Sequence, residues 1–79
     1  MSEKIGRLNE KIVAERYRKQ GYLVLNVNQK GFPDLIVLKG KEIQFFVEVK
    51  GGKHKLHDFQ VEFHKRLEKM GFPVKIERI

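Results

Sequence analysis

Residues 31–52 read GFPDLIVLKGKEIQFFVEVKGG, and their reading decides the fold of this 79-residue chain. Two apolar runs, Leu35-Ile36-Val37-Leu38 and Phe45-Phe46-Val47, flank the connection Gly40-Lys41-Glu42. β-Branched and aromatic residues bounded by turn formers predict a hairpin with strands at about 34–39 and 43–50. Pro33 belongs just before the first strand, where its missing N–H costs no ladder bond, and Gly51-Gly52 breaks the second. Both strands are apolar on both faces, with Ile36, Leu38 and Phe46 at even positions and Leu35, Val37, Phe45, Val47 and Val49 at odd ones. A sheet patterned this way is covered on both sides.

Working outward, residues 22–27 are aromatic and β-branched enough for a further strand, and 28–31 form a loop. Residues 3–20 predict a helix with Ile5, Leu8, Ile12, Val13 and Tyr17 as its apolar stripe and Gly21 as its stop. Beyond the hairpin, residues 57–70 predict a second helix. Phe59, Phe63, Leu67 and Met70 form its stripe, Leu56 packs just ahead, and Gly71 ends it. Residues 74–79 close the chain as a strand with Val74 and Ile76 on one side. The expected order is α-β-β-β-α-β, an α/β fold with a mixed sheet flanked by helices. The expected organisation is a single domain over residues 1–79, without repeats or linkers.

Lys and Arg total 17 against 10 acidic residues, a net charge of +7. Lys30, Lys39, Lys41, Lys50, Lys53 and Lys55 crowd the middle of the chain, which points to a polyanion, most simply nucleic acid. The plainer reading is a solvated lysine-rich surface. There is no cysteine, so neither a disulfide nor a thiolate metal site staples the fold. A chain this short buries only roughly two-thirds of its unfolded surface, which favours tight packing or a partner subunit. No apolar run approaches the roughly 20 residues of a membrane helix. The opening MSEKIGRLNE is too charged for a signal peptide. The expectation is an intracellular, cytoplasmic protein with no membrane partner.

Against this apolar background Asp34 opens the first hairpin strand, and Glu48 and Lys50 end the second. Glu48 and Lys50 are two apart and share a face. Whether Asp34 joins them depends on register. A three-residue loop, or a bulge, sets Asp34 opposite Glu48. A two-residue Gly40-Lys41 turn of type II′ with regular pairing puts them on opposite faces. Two adjacent carboxylates beside apolar walls repel each other, and a shared proton or a divalent cation relieves the repulsion. Hard oxygen ligands without cysteine favour Mg²⁺ or Mn²⁺ over zinc. Such an ion acidifies an attacking water, and Lys50 could orient or deprotonate that water or neutralise developing charge. The bland alternative is a structural ion pair of Lys50 with Glu48 or Asp34 at the hairpin's open end.

Pro33-Asp34 followed by Glu48-Val49-Lys50 resembles the PD-(D/E)XK nuclease signature, and the element order matches the restriction-endonuclease-like core of that superfamily. GFPDLIVL, FFVEVKGGKHKL and Gln60 together resemble the VRR-NUC (virus-type replication-repair nuclease) domain in its stand-alone form, over nearly the whole chain. Archaeal-type Holliday junction resolvases are near relatives and carry a glutamate in the first helix, a role that falls to Glu10, with Glu15 as rival. The resemblance implies metal binding by Asp34, Glu48 and Glu10 and by the Val49 carbonyl. It implies that Lys50 serves the attacking water and that Gln60 orients a water or the phosphate. His57 stands where the family often has a helix-capping serine.

The activity implied is that of a Mg²⁺- or Mn²⁺-dependent DNA endonuclease. It is structure-selective for branched or Holliday-junction-like DNA in replication, repair or recombination, and homodimeric so that two sites cut together. A virus-encoded member would act in the host cell. Lys30, Lys53 and Lys55 are expected to hold flanking phosphates. The rival readings are a non-catalytic nucleic-acid-binding domain and a protein-interaction module that keep the fold. His54, His57 and His64 are expected at the surface or against phosphates, since nothing else converges on them. Phe45 and Phe46 are expected in the core, while Phe32 is open between core and base stacking.

Overall fold

The computed structural model describes residues 3–27 and 29–79, with side chains from Gly6 onward. Ile5 of the expected stripe and Asn28 of the expected loop therefore lie outside the described side chains. The elements are helix α1 (Glu3–Lys19), strands β1 (Leu23–Asn26), β2 (Leu35–Lys39) and β3 (Glu42–Lys50), helix α2 (Asp58–Lys69) and strand β4 (Val74–Arg78). The order is the α-β-β-β-α-β expected from the sequence. The four strands form one mixed sheet in spatial order β1-β2-β3-β4. β1, β2 and β3 pair antiparallel, and β4 returns through α2 to lie parallel to β3. That parallel pair requires a crossover, which α2 supplies.

Helix α1 covers the sheet face carrying Val24, Leu35, Val37, Phe45 and Val47, all buried with Val13, Ala14 and Tyr17 of the helix. The inward stripe is thus Val13, Ala14 and Tyr17, not the expected line through Leu8 and Ile12, which are both exposed. The reason is helical period: positions 10, 13, 14 and 17 share one face, and Leu8 and Ile12 fall to its side. Tyr17 also packs edge-on against Tyr22 and Phe45 and donates its hydroxyl to Glu77 Oε1 at 2.9 Å, which ties α1 to β4. Burial, then the Glu77 carboxylate, pushes the Tyr17 phenol up to about 12.

The opposite sheet face carries a second aromatic cluster. Phe32 packs on Phe46 and Phe63, and Phe46 on Phe72, all edge-to-face. Phe32 is thereby a packing residue. Helix α2 lies on this side, but rotated from its expected stripe: its buried residues are His64 and Leu67, while Phe59 and Met70 are exposed. Beyond α2's reach this face is uncovered. Leu23, Leu25 and Ile43 are exposed there, beside half-buried Ile36 and Leu38.

Candidate active site

The geometry of the site begins with one extra residue. Lys39 pairs with Glu42, so the hairpin turn is the two-residue Gly40-Lys41, with Gly40 supplying φ of 63°. Regular pairing from that turn would place Asp34 and Glu48 on opposite faces. Between Val37 and Leu38 the register shifts: Leu38 faces Ile43, but Val37 faces Phe45. Gln44 is the bulged residue, and from there Leu35 pairs with Val47. The same register carried one position further sets Asp34 across from Glu48. A bulge re-aims side chains in this way at little cost to the rest of a ladder.

Asp34 is fixed twice at the mouth of the hairpin. Its Oδ2 accepts the Val49 N–H at 2.8 Å, and its backbone carbonyl accepts the Val27 N–H at 2.8 Å. Glu48 is only 2 % exposed. Burial first, then a side-chain hydrogen bond with Asp34 and that residue's charge, pushes its carboxyl up to about 8. Burial and a neighbouring carboxylate both disfavour the charged form of Glu48. Lys50 pulls the other way, favouring the ionised form of Glu48.

Glu10 reaches the site because it continues the inward stripe of α1. Burial, and after it the charge of Asp34, raises its carboxyl, while a hydrogen bond from the Asn26 side chain at the end of β1 opposes the rise. Glu15 turns outward instead and pairs with Arg18 at 3.0 Å on the surface. The helix carboxylate at the site is Glu10.

These groups open into one cleft of about 350 Å³, whose lining includes Glu10, Asp34, Glu48, Val49, Lys50 and Gln60. Gln60 is held by α2 itself. Its Oε1 accepts the N–H of His57 at 2.9 Å, which closes the helix N-terminus, and its Nε2 makes a long contact of 3.5 Å to Glu48 Oε2. His57, standing in a serine's usual place, therefore leaves the helix start satisfied. Lys55, His54 and His57 also line the cleft, Lys30 lines a different groove, and Lys53 is exposed outside both.

The residue that the sequence reading misplaces is His64. It is 5 % exposed, and its Nε2 lies 3.2 Å from Glu48 Oε1. Burial holds the imidazole below its usual pKa; the charges of Glu68 and Asp34 oppose this, and that of Lys50 adds to it. The signal was available: Gln60 and His64 are four apart on a helix, so a Gln60 that faces the site brings His64 with it. His64→Ala leaves Glu48 Oε1 buried without this partner. It is expected to lower folding stability by about 1–3 kcal/mol in urea unfolding, with His64→Gln losing less.

The donor set suits a hard divalent cation. Among the described residues no three His, Cys, Asp or Glu side chains close into a cage. What the cleft offers is an open set, two adjoining carboxylates with Glu10 and the Val49 carbonyl nearby. Mg²⁺ is bound by few protein oxygens and keeps waters, so an open set fits it. The raised carboxyls of Glu48 and Glu10 have the character of ligands that repel one another when no cation is bound.

The model of the VRR-NUC domain family matches residues 3–78. A solved structure described as a VRR-NUC domain is similar to the chain at 34 % identity with a TM-score of 0.75, over 95 % of this chain and 84 % of its own. No curated protein matches.

Proposed function

Because the chain belongs to the VRR-NUC domain family, which has the PD-(D/E)XK nuclease fold, we propose that its cleft hydrolyses DNA phosphodiester bonds with the help of a bound Mg²⁺ or Mn²⁺. The observation that carries this reading is the bulge at Gln44. It brings half-buried Asp34 and buried Glu48 to one face, at the end of the strand that also presents Lys50. A structural ion pair needs no second, buried acid with a raised pKa.

In this mechanism Asp34, Glu48, Glu10 and the Val49 carbonyl would hold the cation. When bound, the cation stabilises charge on the phosphoryl oxygens and makes water a better nucleophile at neutral pH. Lys50 orients the attacking water or takes its proton from the same side of the sheet. Gln60 and His64 act on the acids rather than on the substrate, each touching one oxygen of Glu48. Strand β3, the start of β2 and helix α1 hold the ligands, so little reorganisation is needed when substrate arrives. Lys55 at the cleft and Lys30 and Lys53 outside it contact flanking phosphates, which gives affinity without sequence choice.

The preferred substrate is branched DNA, recognised by shape. The working unit is a homodimer acting in the cytoplasm, or in the host cell if virus-encoded. The sheet corner formed by Leu23, Leu25, Ile36, Leu38 and Ile43 is the surface that favours a dimer, being apolar and left bare by both helices. Leu23→Glu with Leu25→Glu is expected to convert a concentration-dependent dimer into a monomer in sedimentation velocity. A wild-type chain that stays monomeric at high concentration refutes this part of the reading.

The deciding experiment incubates the protein with linear, flapped and four-way DNA in Mg²⁺, Mn²⁺ or EDTA. Divalent-dependent cleavage of at least one branched form is expected. Binding without cleavage in every metal would instead favour a non-catalytic nucleic-acid-binding domain. Absence of both would favour a protein-interaction module.

A further inference from the structure

A second concave surface lies along α2. This groove of about 360 Å³ is lined by Lys30, Gly31, Phe59, Glu62, Phe63 and Arg66. Phe59, expected in the core from its helical spacing, is 49 % exposed. Yet its ring is held in place. It stacks on the His57 imidazole with centroids 5.4 Å apart and planes 5° from parallel. It also lies so near the Gly31 backbone that a Cβ there would come within 3.3 Å of its Cδ2. His57 lines the cleft that holds Asp34 and Glu48, so the His57–Phe59 stack joins the cleft to the groove.

The groove's charges are Lys30 and Arg66 against Glu62 alone. Its lining therefore combines an accessible, fixed aromatic ring with two cations. A nucleotide presents the complementary pair, a flat base and an anionic phosphate. In a duplex both faces of each base are covered by neighbours, so a surface ring can stack only on a base that has left the helix. Every base has a π-face, so such stacking is indifferent to sequence, as suits a small reader of shape.

We propose that this groove binds one unpaired nucleotide of the DNA, its base against Phe59 and its phosphate held by Lys30 or Arg66. The proposal rests on the nuclease reading and adds to it the substrate class: DNA with unpaired nucleotides beside the bond to be cut.

The test is made in EDTA, where no cleavage competes, by fluorescence anisotropy with a labelled duplex and with the same duplex carrying a short thymidine flap. The wild-type protein is expected to prefer the flapped form. Phe59→Ala is expected to lose about tenfold of that preference, the size of one base–aromatic stack, while Phe59→Tyr keeps it. Met70→Ala, which removes an exposed apolar side chain from the other end of the helix, keeps it too. The chain has no tryptophan, so Phe59→Trp creates a single reporter whose emission is quenched on adding flapped DNA.

The proposal is overturned if Phe59→Ala keeps the wild-type ratio of flap to duplex affinity, or if the Phe59→Trp emission is unchanged at saturation. It is also overturned if Phe59→Ala instead dissociates a dimer, which would assign the groove to a second copy. Failure of the nuclease reading is seen separately, as absence of cleavage by the wild-type protein when Mg²⁺ or Mn²⁺ is restored.

Discussion

Asp34→Asn is expected to lower divalent-dependent DNA cleavage by about a thousandfold or more, the several kcal/mol of transition-state stabilisation that a catalytic cation supplies. The substitution is nearly isosteric, and the asparagine carbonyl can still accept the Val49 N–H that Asp34 Oδ2 accepts at 2.8 Å. It removes one negative charge from beside Glu48, a charge that helps to raise the Glu48 carboxyl. Two results should therefore diverge. Cleavage in Mn²⁺ disappears while DNA binding persists, and the melting temperature in EDTA rises because a buried repulsion has gone. Adding Mg²⁺ should stabilise the wild-type protein and leave the variant unmoved. Cleavage that survives Asp34→Asn would show that the scissile phosphate is handled elsewhere.

Stability without metal is expected to fall as pH rises toward 8. Glu48 titrates near 4.5 when unfolded and is raised to about 8 in the fold, so between these values the folded chain holds a proton that the unfolded chain has released. Stability then declines with pH across that interval. Glu10, raised by burial and Asp34, acts with the same sign. His64 acts oppositely: its pKa is lowered from 6.5, so stability is gained as pH rises through that value. From about pH 7 the His64 gain is largely complete and the Glu48 decline stands alone. A divalent cation inverts the trend, because it binds the ionised carboxylates and competes with the proton. Melting temperatures from pH 6 to 9, in EDTA and in Mg²⁺, check this. Glu48→Gln should flatten the EDTA curve above about pH 7. A wild-type curve in EDTA that climbs from pH 7 to 8 contradicts a raised Glu48 carboxyl.

Much of the site was legible from residues 31–52 alone. A greasy hairpin that begins with Pro33-Asp34 and ends with Glu48-Val49-Lys50 has few reasons to carry those polar groups, and the structure gathers all three at one cleft. Glu10 was nameable as well, since it lies three residues before Val13 on the stripe that α1 buries. Phe59 was not, and His64 only by way of Gln60, four residues before it on the same helix. Hydrophobicity favours a helix face through Phe59, Phe63, Leu67 and Met70. The face through Gln60, Phe63, His64 and Leu67 differs from it by a rotation of roughly one residue. What selects the second is a polar requirement: Glu48, buried in the sheet, has its oxygens against Gln60 and His64 when α2 docks this way.

The sequence by itself determined the element order, the basic charge and the chemistry of the donor set, because these depend on residue type and on periods of two or 3.6 that each segment carries alone. Tertiary structure decided which side chains meet. The two-residue turn at Gly40-Lys41 would have separated Asp34 from Glu48, and the one bulged residue, Gln44, reunites them. A one-residue slip moves every side chain of a strand to the other face, so the meeting of two acids across strands is a property of the whole ladder and of what packs against it.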